Sequence, residues 1–312
     1  MDRKLIVILG PTAAGKSELA IKLAKKFNGE IISADSRQVY KGMDIGTGKI
    51  TKKEMKSVPH HLLDVASPKR RFTVVQYRKL AISAINKIRK KGKPKHIKGY
   101  VLGKIPILCG GTGFYIQAVV DGIVIPEVPP DWKLRKKLAK KSVKELHQML
   151  KKLDPKRAKT IEQKNRRRLI RALEIIIKTK KPVPPFKKRP LPYPVLMIGV
   201  KKTSEELKRL IKKRFFKWLR RGLIKEVKNL RKSGLSWKKI EDFGIHYRVI
   251  AQYLQNKISY KEMIEGSLKE LRNYAKRQMT WFKGDKRIRW VKDPKEAEKL
   301  AKKFLESNCI YY

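Results

Sequence analysis

The apolar positions of this 312-residue chain fall into two patterns. Leu5-Ile6-Val7-Ile8-Leu9, Ile105-Pro106-Ile107-Leu108-Cys109 and Val195-Leu196-Met197-Ile198-Gly199-Val200 are short apolar runs. Each is long enough for a buried strand and too short for a helix. Glu30-Ile31-Ile32-Ser33-Ala34-Asp35 predicts a further strand ending in an acid, and Pro59-His60-His61-Leu62-Leu63-Asp64-Val65 a short strand entry. Elsewhere apolar residues recur at helical spacing. Leu19, Ala20, Leu23, Ala24 and Phe27 follow the first run; Tyr77, Leu80, Ala81, Ala84, Ile85 and Ile88 follow the capping box Thr73-Val74-Val75-Gln76. Thr203-x-x-Glu206 and Ser259-Tyr260-Lys261-Glu262 open two more amphipathic helices. Strand, glycine turn and helix recur, which predicts an α/β fold with a doubly wound parallel sheet.

Breakers divide the chain. Residues 90–104 are basic and interrupted by Gly92, Pro94, Gly99 and Gly103, which reads as an exposed loop. Ile125-Pro126-Glu127-Val128-Pro129-Pro130 predicts a hinge, 131–179 is helical and basic, and the Pro- and Lys-rich 181–194 predicts a return linker. The expected organisation is therefore a core of 1–124 with 186–312, ending in a helical C-terminal region, and a small helical domain at 125–185 inserted into it. No internal repeat is visible.

Charge narrows the partners. Lys and Arg number 80 against 27 acids, a formal net charge of +53. Thermal adaptation enriches Lys and Glu together, whereas here one sign alone is enriched. A solvated lysine-rich surface is the plain alternative; a polyanion such as nucleic acid accounts better for so large an imbalance. No apolar run reaches membrane-spanning length and no amphipathic anchor stands out, so no membrane partner is expected. Arg3 and Lys4 precede too short an apolar run for a signal peptide, and Cys109 and Cys309 have no metal-ligand spacing. Both point to the cytoplasm.

The strongest chemical signal is Gly10-Pro11-Thr12-Ala13-Ala14-Gly15-Lys16-Ser17, a G-x-x-x-x-G-K-[ST] loop between a predicted strand and helix. Its glycines let successive N–H groups converge on one anion, Lys16 adds a point charge, and Ser17 offers a hydroxyl to a phosphate-borne Mg²⁺. The helix that follows turns its positive end to the same anion. This predicts di- or triphosphate binding. Asp35 closes the second strand, where a carboxylate is either a base or Mg²⁺ holder, or the cap of the next turn. Gly110-Gly111-Thr112-Gly113 lets backbone approach a ligand and supplies the Thr112 hydroxyl, a weak signal by itself. His60 and His61 face opposite sides of a strand with no third ligand, so a structural role is expected. Arg168 and Arg171 lie within one helical turn of each other. Arg272 to Phe282 interleaves cations with aromatics, suited to phosphates and bases together.

In order along the chain, these motifs resemble the tRNA dimethylallyltransferase (tRNA isopentenyltransferase) family. The resemblance runs through the 10–17 loop, Ser33-Ala34-Asp35-Ser36-Arg37-Gln38-Val39-Tyr40-Lys41-Gly42-Met43-Asp44-Ile45-Gly46-Thr47, Pro59-His60-His61-Leu62-Leu63-Asp64 and Gly110-Gly111-Thr112-Gly113-Phe114-Tyr115. It continues in Asp154-Pro155, Arg168-x-x-Arg171-Ala172-Leu173-Glu174 and Ala275-Lys276-Arg277-Gln278-Met279-Thr280-Trp281-Phe282. It implies transfer of a dimethylallyl group from dimethylallyl diphosphate to N6 of the adenine 3′ to the anticodon of tRNA. The diphosphate would sit in the 10–17 loop with Mg²⁺ on Ser17. Asp35 would be the general base, Thr112 would lie near the adenine, and Arg214 would reach the diphosphate. The resemblance also implies tRNA contacts at Asp35, Ser36, Arg37, Gln38 and Thr112, at Arg135, Ile161, Glu162, Gln163, Lys164, Asn165, Arg168 and Arg171, and at Arg277 and Gln278.

The chain departs from the family pattern in the basic insertion at 93–104, in Gly244-Ile245-His246-Tyr247-Arg248 where Gly-Tyr-Lys-Glu is commoner, and in Leu210 where relatives often carry a second arginine. No zinc-finger extension follows Phe282. Contacts at 244–248 are therefore not transferred, and Arg214 is left as the diphosphate arginine. A P-loop kinase and a non-catalytic RNA-binding protein are the rival readings. The first needs no basic helical arm, and the second gives Asp35 no purpose. A monomer is expected.

Overall fold

The computed structural model describes residues 4–91, 95–97, 100–123, 126, 128–185 and 187–307; at 95–97 and 100–102 it describes the backbone alone. The chain forms two compact units, Met1–Gly122 with Pro190–Tyr312, and Ile123–Arg189. The boundaries lie a few residues outside 125–185 because Ile123 bridges Lys188, so both crossing segments pair within the smaller unit.

Along the chain come β1 (Leu5–Leu9), α1 (Lys16–Lys26), β2 (Gly29–Ser33), α2 (Lys52–Met55), β3 (His60–His61) and α3 (Val74–Lys90). A hairpin of β4 (Lys95–Ile97) and β5 (Tyr100–Leu102) precedes β6 (Ile105–Gly110) and α4 (Gly113–Val120). The smaller unit holds α5 (Trp132–Leu138), α6 (Val143–Leu153), α7 (Pro155–Thr160) and α8 (Arg166–Thr179). The larger unit resumes with β7 (Val195–Val200), α9 (Ser204–Arg220), α10 (Leu223–Lys232), α11 (Trp237–Asp242), α12 (Ile245–Leu254), α13 (Tyr260–Lys283), β8 (Ile288–Val291) and α14 (Pro294–Glu306).

Six strands form one sheet in the order β3-β2-β6-β1-β7-β8, and every neighbouring pair is parallel. β1 lies between β6 and β7 and is buried throughout. Its side chains alternate. Leu5, Val7 and Leu9 join the core shared with α3, α4 and the helices after β7, while Ile6 and Ile8 join the core beneath α1 and α14. An unbroken apolar run is what a strand covered on both faces requires. Because all strands run the same way, the segments after β1, β2 and β6 emerge at one edge, which is where a parallel sheet gathers a ligand.

The capping boxes at Thr73, Thr203 and Ser259 are all formed. Two expectations change. Part of 90–104 is an antiparallel hairpin rather than loop throughout; residues 92–94 and 98–99 of that stretch lie outside the described residues. The strand expected around 59–65 is only two residues long, because Leu62 and Asp64 take φ of 63° and 57°, which a strand cannot continue through. His60 Nδ1 lies 2.8 Å from the Val58 carbonyl, and His61 Nε2 lies 2.8 Å from Glu30 Oε2.

The smaller unit has its own core, built on Leu138, Leu146, Leu150, Leu169, Leu173 and Ile176. Beside it is the fully buried Glu174. Its Oε1 accepts from the Asp131 N–H at 2.8 Å and Arg135 Nε at 2.7 Å; its Oε2 accepts from Arg135 Nη2 and Arg171 Nη1, each at 2.6 Å. Burial alone would raise the Glu174 pKa, but the hydrogen bonds from Arg135 and Arg171 outweigh it and hold the carboxyl below its usual range. The stabilisation is thus present above the ordinary carboxylate range and lost as pH falls through it. Glu174→Gln is expected to lower the unfolding free energy by about 2 kcal/mol at pH 7, less than for a fully buried pair because both arginines keep some contact with water. Denaturant unfolding of the two proteins checks this, and the difference should shrink in acid.

Candidate active site

The loop between β1 and α1 leaves a helix end bare. Gly15, at the N-cap, takes a left-handed φ of 92° and contributes no side chain, so no cap satisfies the first N–H groups of α1. Those groups and the helix dipole converge on whatever anion the loop receives. Lys16 folds back so that Nζ donates to the Pro11 carbonyl at 2.6 Å. Burial pushes its pKa down to about 8; Cys109 and Asp35 act in the opposite sense, and the positive charge of Arg214 adds to the lowering. Ser17 is exposed, and its hydroxyl has no hydrogen-bond partner among the described residues.

The loop is braced from α13. Gln278 Oε1 accepts from the Thr12 N–H at 2.7 Å, and Gln278 Nε2 donates to the Gly111 carbonyl at 2.8 Å. One buried amide thus ties the 10–17 loop to the turn after β6.

Asp35 lies two residues beyond β2. Its Oδ1 accepts from the N–H groups of Arg37 (2.8 Å) and Gln38 (3.3 Å), while its Oδ2 makes no hydrogen bond among the described residues. One oxygen thus closes the turn, as the capping reading expects. Thr112 Oγ1 accepts from the Ser36 N–H at 3.0 Å and lies 3.4 Å from Ser36 Oγ. The Tyr274 hydroxyl also bonds Thr112, and burial, followed by the Asp35 charge, raises the Tyr274 pKa. Gln38 turns its Nε2 to the carbonyls of Thr47 and Gly48, at 3.3 and 3.4 Å. Arg37 lies 5.8 Å over the ring of Phe243.

Arg214, on α9, donates from Nη2 to the Gly48 carbonyl at 3.4 Å and lies 4.9 Å over Trp218. Burial lowers its pKa, and Asp35 works against that. Lys16, Asp35 and Arg214 therefore form one electrostatic group. Cys109, buried on β6, has its thiol pushed up to about 12 by burial and is inert as a nucleophile.

The residues expected to touch tRNA separate into two sets. Arg277 is exposed, 6.0 Å from the Tyr274 ring, whereas Gln278 is buried and braces two loops, because both ends of its amide are taken up by backbone. In the smaller unit Glu162, Gln163, Lys164 and Arg168 are exposed, with Arg168 3.5 Å from Glu162. Ile161 is core, Asn165 caps α8, and Arg135 and Arg171 hold Glu174. Inspection of the sequence missed Tyr274, although it lies in the singled-out 272–282 stretch. It also missed Glu226 and His246, whose neighbours are distant in the chain. His246 lies 5.2 Å from Trp218, and burial pushes its pKa down to about 3, so the ring is neutral.

Fold and site together define a phosphate-loop α/β protein in which a carboxylate and a hydroxyl stand at neighbouring strand ends. The family model for "IPP transferase" matches residues 38–285. A tRNA dimethylallyltransferase of Pelotomaculum thermopropionicum is 41% identical over 294 residues, 92% of this chain and 90% of that one. That of Carboxydothermus hydrogenoformans is 41% identical over 314 residues, 98% and 97% of the two chains. The crystal structure of a full-length tRNA isopentenylpyrophosphate transferase from Bacillus halodurans superimposes with a TM-score of 0.70 at 36% identity, covering 97% of this chain and 96% of that one. A eukaryotic dimethylallyltransferase described as acting on tRNA gives a TM-score of 0.78 at 27% identity, covering 99% and 81%. The chain belongs to the IPP transferase family, the family of the tRNA dimethylallyltransferases, and is a transferase.

Lys16 gives the site a pH signature. Below about pH 8 it is protonated and attracts an anion; above that it is neutral unless the anion restores the proton. The affinity for inorganic pyrophosphate is expected to fall above pH 8, by up to about tenfold per pH unit, with proton uptake on binding. Calorimetric titration in buffers of different ionisation heat checks this, and Lys16→Arg should abolish the dependence.

Proposed function

We propose that the protein transfers a dimethylallyl group from dimethylallyl diphosphate to N6 of the adenine 3′-adjacent to the anticodon of tRNA, releasing pyrophosphate. The observation that carries this reading is Asp35, whose Oδ2 makes no hydrogen bond among the described residues, in one electrostatic group with Lys16 and Arg214, because a non-catalytic RNA-binding protein would give that carboxylate no purpose. The bare N–H groups of α1, Lys16 and Arg214 hold the diphosphate and take up the charge that grows on it as the C–O bond to the prenyl carbon breaks. The adenine leaves its stack to reach the site, next to Thr112 and Tyr274. N6 forms the new bond to that carbon, and its proton passes to Asp35.

The donors present fit Mg²⁺. Ser17 Oγ is exposed and has no partner among the described residues, and Asp35, which acts on the neighbouring Lys16, offers a hard oxygen. Among the described residues no group of three or more His, Cys, Asp or Glu forms a protein cage, which suits an ion held mainly by substrate phosphate and water. Ser17 would hold the ion against the diphosphate, and the ion when bound supplies charge neutralisation to the leaving group.

The smaller unit suits the gripping of a tRNA backbone. Its 67 residues carry 23 Lys and Arg against 6 Asp and Glu. No helix among the described residues is long and apolar enough to cross a membrane. We infer a cytoplasmic monomer.

Labelled dimethylallyl diphosphate should enter bulk tRNA in the presence of Mg²⁺ without ATP turnover. ATP turnover with unlabelled tRNA would overturn the donor assignment. Asp35→Ala is expected to cut turnover by about 10² to 10⁴ while tRNA and diphosphate still bind; an equal loss of binding would refute the base. Arg168→Ala should raise the KM for tRNA and reduce its salt slope by about one unit, whereas Arg171→Ala should chiefly lower stability.

A further inference from the structure

Glu226, in the first turn of α10, is 8% exposed and pairs with no cation among the described residues. Its Oε2 accepts from the N–H groups of Asp44 at 2.7 Å and Ile45 at 2.6 Å. Its Oε1 accepts from the Gly46 N–H at 3.0 Å and from the Tyr247 hydroxyl at 2.8 Å. The loop thus curls around a carboxylate as an anion nest does, but the anion belongs to the protein itself.

With its N–H groups at 44–46 drawn to Glu226, the loop offers carbonyls at 47 and 48 to the site. Gln38 Nε2 donates to both, and Arg214 Nη2 donates to the second. Gly48 has a φ of 59°, and a Cβ added there would overlap the Arg214 guanidinium, so loop and arginine are in direct contact. Trp218 supports the guanidinium, and His246 packs between Trp218 and Gly46.

We propose that Glu226 is a positioning residue for diphosphate recognition: its carboxylate shapes loop 44–48, and through the Gly48 carbonyl it sets where Arg214 sits. This rests on the reading that Arg214 meets the donor's diphosphate. A carboxylate that merely stapled the loop would alter stability; one that aims Arg214 alters affinity for diphosphate, and does so only while Arg214 is present.

The test is a double-mutant cycle read by binding of inorganic pyrophosphate to the full chain, with tRNA affinity measured alongside. Glu226→Gln replaces one acceptor oxygen by an NH₂ group facing backbone donors. It is expected to weaken pyrophosphate binding on the order of tenfold, the scale of a hydrogen bond to a charged group, with tRNA affinity unchanged. In an Arg214→Ala background the same change should cost less than about twofold. Unchanged pyrophosphate affinity, or an equal loss in both backgrounds, would overturn the proposal. Should Glu226→Gln fail to fold, Glu226→Asp keeps the charge but shortens its reach, and the same Arg214-dependent loss is expected from it. A wild-type protein that binds pyrophosphate but transfers no prenyl group would refute the reaction assigned above, not the role of Glu226.

Discussion

The burial of two cations, Lys16 and Arg214, beside Asp35 is the constraint on which the site depends. Both cations are desolvated, the charge of Arg214 further disfavours that of Lys16, and Asp35 offsets both, joined by Glu54 at Arg214. Such an arrangement would relax by turning a side chain to water if the frame allowed it. Much of the hydrogen bonding around the site consists of devices that prevent this. Lys16 is held by the Pro11 carbonyl, Arg214 by the Gly48 carbonyl and Trp218, and the two loops behind Lys16 by the Gln278 amide. The Gln278 amide is neutral, so it fixes geometry without cancelling the field. For the proposed reaction this would make a preorganised electrostatic hole, the property that lets a leaving diphosphate be stabilised without reorganisation.

What was legible in the sequence follows from how local the determining physics is. β1 and the 10–17 loop could be read because a strand buried on both faces must be apolar at successive positions, and because a phosphate loop needs its residues at fixed spacing. The boxes at Thr73, Thr203 and Ser259 each close within four residues. The Gln278 brace joins positions 266 apart in the chain, and the bonds from Glu226 to loop 44–46 span 180 to 182. No local pattern announces such pairs, since a glutamine or glutamate on a helix reads the same whether it meets water or a distant loop. Arg135, Arg168 and Arg171 make the same point. Spacing puts Arg168 and Arg171 on one helix together, and only the fold shows that Glu174 claims Arg135 and Arg171 while Arg168 stays exposed.

That division bears on how a polyanion would be recognised. A bidentate arginine fixed in place can select a geometry, whereas exposed lysines attract any phosphate backbone. In the smaller unit the arginines best placed to be rigid are engaged by Glu174, which leaves its remaining basic surface as a diffuse field. A field of that kind accelerates encounter and fades with salt, but carries little sequence information. On the proposed tRNA reading, selectivity would then fall where polar groups are held in one arrangement. In this chain that is the larger unit, where the Asp35 turn, the Thr112 hydroxyl and Tyr274 are joined by hydrogen bonds at the ends of the strands. Attraction and discrimination are thereby assigned to different physical terms, one long-ranged and screened, the other short-ranged and set by the packing that holds the sheet edge.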